Sequence, residues 1–265
     1  MTLDKGKLQN QRTKVNNWSI FARVYAEELP EDAPVVILVH GLVLASRYMI
    51  PTAELLASKY RVYVPDFPGY GDSDKPDKVL ELPELADVLA QWMDAVGIKQ
   101  AIMLGNSFGC QIIAEFTLRH SERIAGAILQ GPTIDPNARS LSEQLWRFAL
   151  NAPYERASQL PIQVRDYAAA GLPRVIRTIQ MAFADRIEAK LPYMTIPTLV
   201  VRGDKDPVVP QGWTEEVVRL LPNGKLRIVP EGAHTLNYSK PKELAAICDH
   251  FTQEIVADLE RGGVK

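Results

Sequence analysis

Short apolar runs recur along this chain, and longer amphipathic segments separate them. The first run, VVILVH at residues 35–40, is rich in β-branched side chains, as expected for a strand buried on both faces. Strands that alternate with helical segments form parallel sheets joined by crossover helices. The sequence therefore predicts an α/β fold with a mostly parallel central sheet flanked by helices. Five further runs complete the predicted parallel strands: RVYVPD (61–66), AIMLGN (101–106), AGAILQ (125–130), TLVVRG (198–203) and LRIVP (226–230).

The segments between these runs have helical periodicity. Residues 82–97 place apolar side chains at helical intervals and end at Gly97, a residue suited to a helix C-terminus. Residues 110–120 and 242–259 predict two more helices, the second of them long and amphipathic. SIFARVYA at residues 19–26 alternates apolar and polar side chains, which favours an antiparallel strand at the edge of the sheet.

One region breaks this alternation. Residues 132–192 contain helix-like pieces punctuated by prolines and lack a strand pattern. We predict a helical cap at 132–192, inserted between two late strands, and a core domain made of residues 1–131 and 193–265. A cap arginine is a candidate for binding a substrate carboxylate, although most arginines on small helices face solvent. The candidates are Arg139, Arg147, Arg156, Arg165, Arg174 and Arg177.

Composition argues against several function classes. The net charge is −2 and the pI is about 6.1, which gives no electrostatic case for nucleic acid or an anionic membrane surface. Cys110 and Cys248 lack metal-ligand spacing and favour free thiols in a reducing compartment. No window approaches the roughly 18 apolar residues of a membrane span, and the polar N-terminus is unlike a secretory signal. We expect a cytoplasmic protein with a small-molecule substrate and without nucleic-acid or membrane partners; a homodimer stays open.

The strongest chemical signal is GNSFG at residues 105–109, which follows a predicted strand and opens a predicted helix. A serine on such a tight, strained turn needs glycine on both sides, because larger side chains would collide with the neighbouring strand and helix. The first amides of the helix, including that of Phe108, would point toward an oxyanion. Ser107 is therefore a candidate nucleophile. The alternative is a glycine-rich turn with an N-capping serine.

Four histidines are candidates for a general base. His120 ends a predicted helix and His250 belongs to the last helix, so packing or surface roles suffice for both. His40 follows the first long apolar run. His234 lies in a loop after the final predicted strand, where functional residues are common. His234 is the favoured base.

Together these features resemble the α/β-hydrolase superfamily over nearly the whole chain. His40-Gly41 matches the family's loop that supplies a second oxyanion amide, which by position would be that of Leu42. DFPGYGDS at residues 66–73 is similar to the family's D-x-P-G-x-G-x-S turn, which supports the site without chemistry. The chain order serine, aspartate, histidine is also that of this superfamily.

The resemblance also implies the residue that orients the base. GDKDPVVP at residues 203–210 is similar to the family's acid loop, in which the later aspartate is normally the triad member. That residue is Asp206. Asp135 and then Asp204 remain alternatives, because some members of the family draw the acid from the position of Asp135.

What the resemblance implies about chemistry is acyl transfer to Ser107, with His234 as base and no metal or organic cofactor. Relatives that attack a saturated carbon have aspartate at the nucleophile position. The expected function is therefore a serine hydrolase that cleaves a small carboxylic ester or lactone through an acyl-enzyme.

Two alternatives stay open. Carbon–carbon hydrolases of vinylogous 1,5-diketones often have G-N-S-x-G at the elbow, but they usually carry tryptophan after the catalytic histidine and a second glycine after the elbow. This chain has Thr235 and Cys110 there, and its GLVL loop at residues 41–44 lacks their glycine- and serine-rich form. These departures favour an ester. The other alternative is a ligand receptor that keeps the triad; such a receptor would bind tightly with almost no multiple turnover.

Overall fold

The computed structural model describes residues 7–26 and 29–262. Eight strands lie within these residues: β1 (Gln9–Val15), β2 (Trp18–Tyr25), β3 (Val35–Val39), β4 (Arg61–Pro65), β5 (Ala101–Asn106), β6 (Ile124–Gln130), β7 (Thr198–Gly203) and β8 (Gly224–Val229).

The helices of the described residues follow in chain order: α1 (Ile50–Leu56), α2 (Leu82–Ala95), α3 (Phe108–Arg119), α4 (Leu141–Asn151), α5 (Leu160–Ala170), α6 (Leu172–Ala184), α7 (Ile187–Lys190), α8 (Gln211–Leu220), α9 (Leu236–Ser239) and α10 (Pro241–Gly262). Short 3₁₀ segments occur at Ser46–Met49, Ser121–Arg123, Pro136–Ala138, Ala152–Tyr154, Ala157–Gln159 and Leu191–Tyr193.

All eight strands form one sheet in the order β1-β2-β4-β3-β5-β6-β7-β8. The strands from β3 to β8 run parallel, whereas β2 is antiparallel to both of its neighbours. The predicted mostly parallel sheet flanked by helices is confirmed.

Both faces of the sheet are covered, because side chains alternate along each strand. Ile37 and Val39 of β3 belong to one core with the apolar faces of α2, α3 and α8. Val36 and Leu38 belong to a second core with α1 and α10. A strand buried on both faces must be apolar throughout, which explains the continuous run that the sequence shows.

The prediction that residues 19–26 form the edge strand is wrong. These residues form the antiparallel β2, but β1 lies outside it, with Gln9 opposite Val24 and Val15 opposite Trp18. Most β1 side chains are exposed or half-buried, and its sequence QNQRTKV has no apolar alternation. Main-chain hydrogen bonds to β2 hold it, and such bonds leave no pattern in the side chains.

Helices α4 to α7 lie between β6 and β7, in the segment predicted to be a cap. We call residues 132–192 the cap segment. Its division from the core as a separate domain and its role as a lid stay predictions. Within residues 7–26 and 29–262, no helix combines the length and apolarity needed to cross a membrane.

Candidate active site

Ser107 lies on a sharp turn between β5 and α3. Its backbone has φ 57° and ψ −117°, outside the regions that serine ordinarily adopts. Its amide donates to the carbonyl oxygen of Gln130 at 3.0 Å, which ties the turn to the end of β6. The side chain is 8% exposed and lines a cavity. A strained backbone conformation held in this way is characteristic of functional sites.

The two glycines of this turn, which we call the elbow (residues 105–109), are required by close backbone contacts. A Cβ atom on Gly109 would lie 2.4 Å from the carbonyl oxygen of Val39 and 2.9 Å from that of His40. A Cβ atom on Gly105 would lie 2.7 Å from the carbonyl carbon of Gly109. The structure thus gives the expected steric reason for glycine on both sides of Ser107.

His234 and Asp206 form a buried pair. Nδ1 of His234 and Oδ2 of Asp206 are 2.9 Å apart, and the side chains are 3% and 1% exposed. The other Asp206 oxygen, Oδ1, accepts the amides of Val208 at 2.8 Å and Val209 at 3.1 Å. Arg202 donates to the main-chain carbonyl of Asp206 at 2.9 Å and so holds the loop. The carboxylate is therefore fully hydrogen-bonded and aimed at the imidazole.

Asp206 shifts the titration of this histidine. Burial alone would lower the pKa of His234, because it disfavours the charged imidazolium. The Asp206 charge and hydrogen bond, with a further contribution from Glu155, outweigh burial and raise the pKa of His234 above its ordinary value. The Nε2 atom of His234 is buried without a hydrogen-bond partner among the described residues. With Nδ1 bonded to Asp206, Nε2 is the nitrogen free to exchange a proton.

The alternative acids lie elsewhere. Asp135 is paired with Arg147 at 3.0 Å and accepts the amide of Asn137 at 2.9 Å. Asp204 is exposed. The structure brings Asp206, and neither alternative, into hydrogen-bond contact with His234.

The other histidines have separate partners. His40 is buried, its Nε2 accepts the amide of Phe67 at 3.1 Å, and burial lowers its pKa. His120 pairs with Asp87 at 2.8 Å near the end of α3. His250 is 68% exposed on α10. None of the three lines the cavity that contains Ser107 and His234.

Asn106, the residue before Ser107, links the elbow to two other loops. Its Oδ1 accepts the hydroxyl of Tyr48 at 2.9 Å, and that hydroxyl accepts the amide of Gly41 at 2.6 Å. Its Nδ2 donates to the carbonyl oxygen of His234 at 3.2 Å. We call residues 40–45 the oxyanion loop and residues 230–235 the base loop, after the roles predicted for Leu42 and His234. The sequence predicts no structural role for Asn106 or Tyr48; for Asn106, an amide side chain next to the candidate nucleophile was the available signal.

The predicted oxyanion donors sit at this junction. Phe108 opens α3, where first-turn amides lack intrahelical acceptors, so its N–H is available to a ligand. Leu42 lines the same cavity as Ser107 and directly follows Gly41, which Tyr48 holds in place. Leu42 therefore shares the cavity with Ser107, and Phe108 follows Ser107 in the chain; their role as oxyanion donors stays a prediction.

The turn at residues 66–73 is joined to the oxyanion loop by the amide of Phe67, which donates to Nε2 of His40 at 3.1 Å. Asp66 is fully buried and accepts the amides of Ser46 at 2.6 Å and Asp72 at 2.8 Å. Gly71 has φ +54°, and a Cβ atom there would lie 2.1 Å from an Asp66 oxygen. None of these residues lines the cavity. Their contacts are structural, in keeping with the role that the family resemblance implies for this turn.

The cavity has a volume of about 490 Å³. Among the described residues that line it, none is Asp, Glu, Lys or Arg. Core residues such as Leu42, Ser107 and His234 line part of it. Apolar or aromatic side chains of the cap segment line much of the rest: Leu141, Leu145, Phe148, Val164, Tyr167, Ile179 and Phe183.

None of the six cap arginines lines this cavity, so the suggestion that one binds a substrate carboxylate there is wrong for this conformation. Five of the six arginines form ion pairs or hydrogen bonds with other residues of the protein, and Arg156 is exposed. The partners are Glu188 for Arg139, Asp135 for Arg147, Asp72 for Arg165, the carbonyl of Pro76 for Arg174 and Glu81 for Arg177.

Comparisons with known proteins identify the family of this chain. The family model described as "alpha/beta hydrolase fold" matches residues 34–165, and one described as "TAP-like protein" matches residues 179–251. "Putative carbamate hydrolase RutD" of Stutzerimonas stutzeri is 24% identical over 249 residues, covering 84% of this chain and 93% of the relative.

Two solved structures show the same fold. Est816, described as an N-acyl homoserine lactone degrading enzyme, has a TM-score of 0.72 and 22% identity, and the match covers 91% of this chain and all of that one. A thermophilic esterase from Thermogutta terrifontis has a TM-score of 0.75 and 20% identity over 93% of this chain and 99% of that one.

A mostly parallel sheet flanked by helices, with a serine on a strained turn between a strand and a helix, is the architecture of the α/β hydrolases. The chain belongs to the α/β-hydrolase superfamily and is a hydrolase.

The elbow geometry makes a stability prediction. Gly109→Ala forces a Cβ atom against the backbone of β3 and should destabilise the fold by about 1–3 kcal/mol, a typical cost of overpacking. Gly212→Ala on α8 is the matched control, because no atom lies within 4 Å of its Cβ position. It should leave stability unchanged or raise it by up to about 1 kcal/mol. Urea unfolding followed by circular dichroism measures both; equal stabilities would contradict the packing argument.

Proposed function

We propose that this chain is a serine hydrolase that cleaves small, neutral carboxylic esters or lactones through an acyl-enzyme on Ser107. The observation that carries the proposal is the buried pair of His234 and Asp206. His234 of this pair lines one cavity together with Ser107, which is held at positive φ. A buried, oriented imidazole beside a strained serine is the arrangement that nucleophilic acyl transfer needs.

In the first half-reaction, Nε2 of His234 takes the proton of Ser107 Oγ as that oxygen attacks the carbonyl carbon. Ser107 Oγ has only a long contact, 3.5 Å, with Thr133 Oγ1, so this contact restrains the hydroxyl group only weakly. No direct hydrogen bond joins Ser107 Oγ to His234 among the described residues, and such bonds often form only once substrate is bound. The amides of Leu42 and Phe108 stabilise the oxyanion of the tetrahedral intermediate.

Collapse of that intermediate breaks the bond to the leaving oxygen, which receives the proton from His234. In the second half-reaction His234 deprotonates a water molecule that attacks the acyl-enzyme, and Ser107 recovers its proton when the carboxylic acid leaves. With a lactone, the leaving oxygen stays attached and the product is a hydroxy acid. Asp206 stabilises the imidazolium in both halves.

The lining of the cavity supports a neutral and largely apolar substrate. A carboxylate in a cavity that Lys and Arg do not line would lose its hydration without a permanent cation as partner. The relatives and structural neighbours named for carbamate, ester or lactone hydrolysis act, by those names, on acyl compounds.

The hydrogen bonds of Asn106 reduce the case for carbon–carbon bond hydrolysis. That alternative rested on the sequence Gly-Asn-Ser at the elbow. In this structure Asn106 has a structural use, since it bonds to Tyr48 and to the His234 carbonyl. The asparagine therefore needs no special substrate to explain it.

Hydrolysis of short p-nitrophenyl esters tests the proposal. Wild-type protein should show multiple turnover, and Ser107→Ala should lose at least about 10⁴-fold in kcat, because no nucleophile remains. Ser58→Ala, which removes a serine away from the cavity, is the control and should keep full activity. A single burst or tight binding without turnover in the wild type would instead support a receptor.

Acyl-chain length tests the apolar cavity. Each added methylene that enters it should raise kcat/KM about fourfold, since burial of a CH₂ group is worth about 0.8 kcal/mol. Leu145→Gln should flatten this dependence, because Leu145 lines the cavity yet is 61% exposed and easily replaced. Leu118→Gln is the control on α3, remote from the cavity and 43% exposed. A chain-length profile that is the same in both variants would place the acyl group elsewhere.

A further inference from the structure

Glu155 of the cap segment accepts two hydrogen bonds from the base loop. Its Oε1 accepts the amide of Thr235 at 2.7 Å, and its Oε2 accepts the hydroxyl of the same residue. Thr235 directly follows His234 in the chain. A carboxylate that holds both the amide and the side chain of Thr235 restricts the backbone next to the proposed base.

The same stretch of the cap also contacts His234 itself. Asn151, 4% exposed, accepts the His234 amide on Oδ1 at 3.2 Å and donates from Nδ2 to Glu155 at 2.9 Å. The Phe148 ring meets the imidazole edge-to-face at 5.7 Å between centroids. Glu155 is thus joined to His234 through two routes, one through Thr235 and one through Asn151.

The core holds His234 from the opposite side. Its carbonyl oxygen accepts Nε2 of Gln130 at 2.6 Å and Nδ2 of Asn106 at 3.2 Å. The amide of His234 is bonded to the cap segment and its carbonyl to the core. The position of the imidazole relative to Ser107 therefore depends on where the cap segment lies.

Charged groups contact the base loop from the cap segment and from the loop after β7, where Lys205 pairs with Glu231 at 3.6 Å. Asp206 bonds the imidazole directly, and Glu155 adds negative charge from the cap segment. Two arginines contact the acid loop (residues 204–210) and not the imidazole: Arg202 bonds the carbonyls of Asp206 and Val209, and Arg147 contacts the carbonyl of Val208. Glu155 and Asp206 both favour the charged imidazolium that forms during acyl transfer.

We propose that Glu155 is a positioning residue for His234: through Thr235 and Asn151 it couples the cap segment to the base and fixes the imidazole in its working place. This inference rests on the proposed role of His234 as the base. It adds a residue from the cap segment to a site whose expected residues all lie in the core.

Glu155→Gln tests the coupling. The variant keeps the side-chain volume but loses the charge and one acceptor toward Thr235. We expect kcat on a p-nitrophenyl ester to fall about tenfold or more with little change in KM, because a displaced base slows chemistry rather than binding. Base catalysis needs neutral His234, so the rate falls as pH drops through its pKa. Removing a charge that raises this pKa should move that acidic limb to lower pH.

Glu143→Gln is the matched control, since Glu143 is a cap glutamate on α4 that bonds Arg147 and is 44% exposed. It should leave kcat and the acidic limb unchanged. Asn151→Ala, which cuts the second route while Glu155 remains, should lower kcat with the same sparing of KM. Thermal unfolding confirms that the variants are folded.

An NMR titration of the His234 imidazole gives a readout that needs no substrate and survives failure of the proposed function. Glu155→Gln should lower the His234 midpoint and shift its resonances, and Glu143→Gln should do neither. If Glu155→Gln matches Glu143→Gln in kcat and in the titration, the positioning role is wrong even if Ser107 is the nucleophile. A fall in kcat with an unmoved His234 titration contradicts it as well.

Discussion

The hydrogen bond between Asp206 and His234 is the interaction on which the proposed chemistry depends. A carboxylate that is 1% exposed is costly unless donors surround it, and here two amides and an imidazole do so. That bond fixes which imidazole nitrogen faces the cavity and raises the pKa of His234 despite burial. The acid loop after β7 and the base loop after β8 are brought together because parallel strands end at the same edge of the sheet.

A second constraint fixes the positions of the elbow, the oxyanion loop and the base loop relative to one another. Asn106 stands inside the elbow and bonds toward the oxyanion loop through Tyr48 and toward the base loop through the His234 carbonyl. Loss of one member of a buried polar network leaves its partners unsatisfied, so such networks specify one arrangement. Glu155 extends the network into the cap segment. The elements that would bind substrate are thereby connected to those that would transform it.

The features of the fold and site that follow from local rules could be predicted from the sequence. Buried parallel strands must be apolar, and an elbow needs glycines, so the sheet and the candidate Ser107 could be predicted from short windows. β1 could not, because main-chain bonds to β2 hold a polar strand that has no apolar pattern. The contacts of Glu155 and Tyr48 depend on how distant loops meet, 80 and 58 residues from their partners in the chain. Such contacts leave no local signal.

The most direct test of the account is covalent labelling with a fluorophosphonate, which phosphonylates only an activated serine, followed by mass spectrometry of the peptides. We expect one adduct, on Ser107, and a rate of labelling that drops sharply in His234→Ala and in Asp206→Asn. Labelling of another residue, or an unchanged rate in those variants, would contradict the central claim that this buried pair activates Ser107.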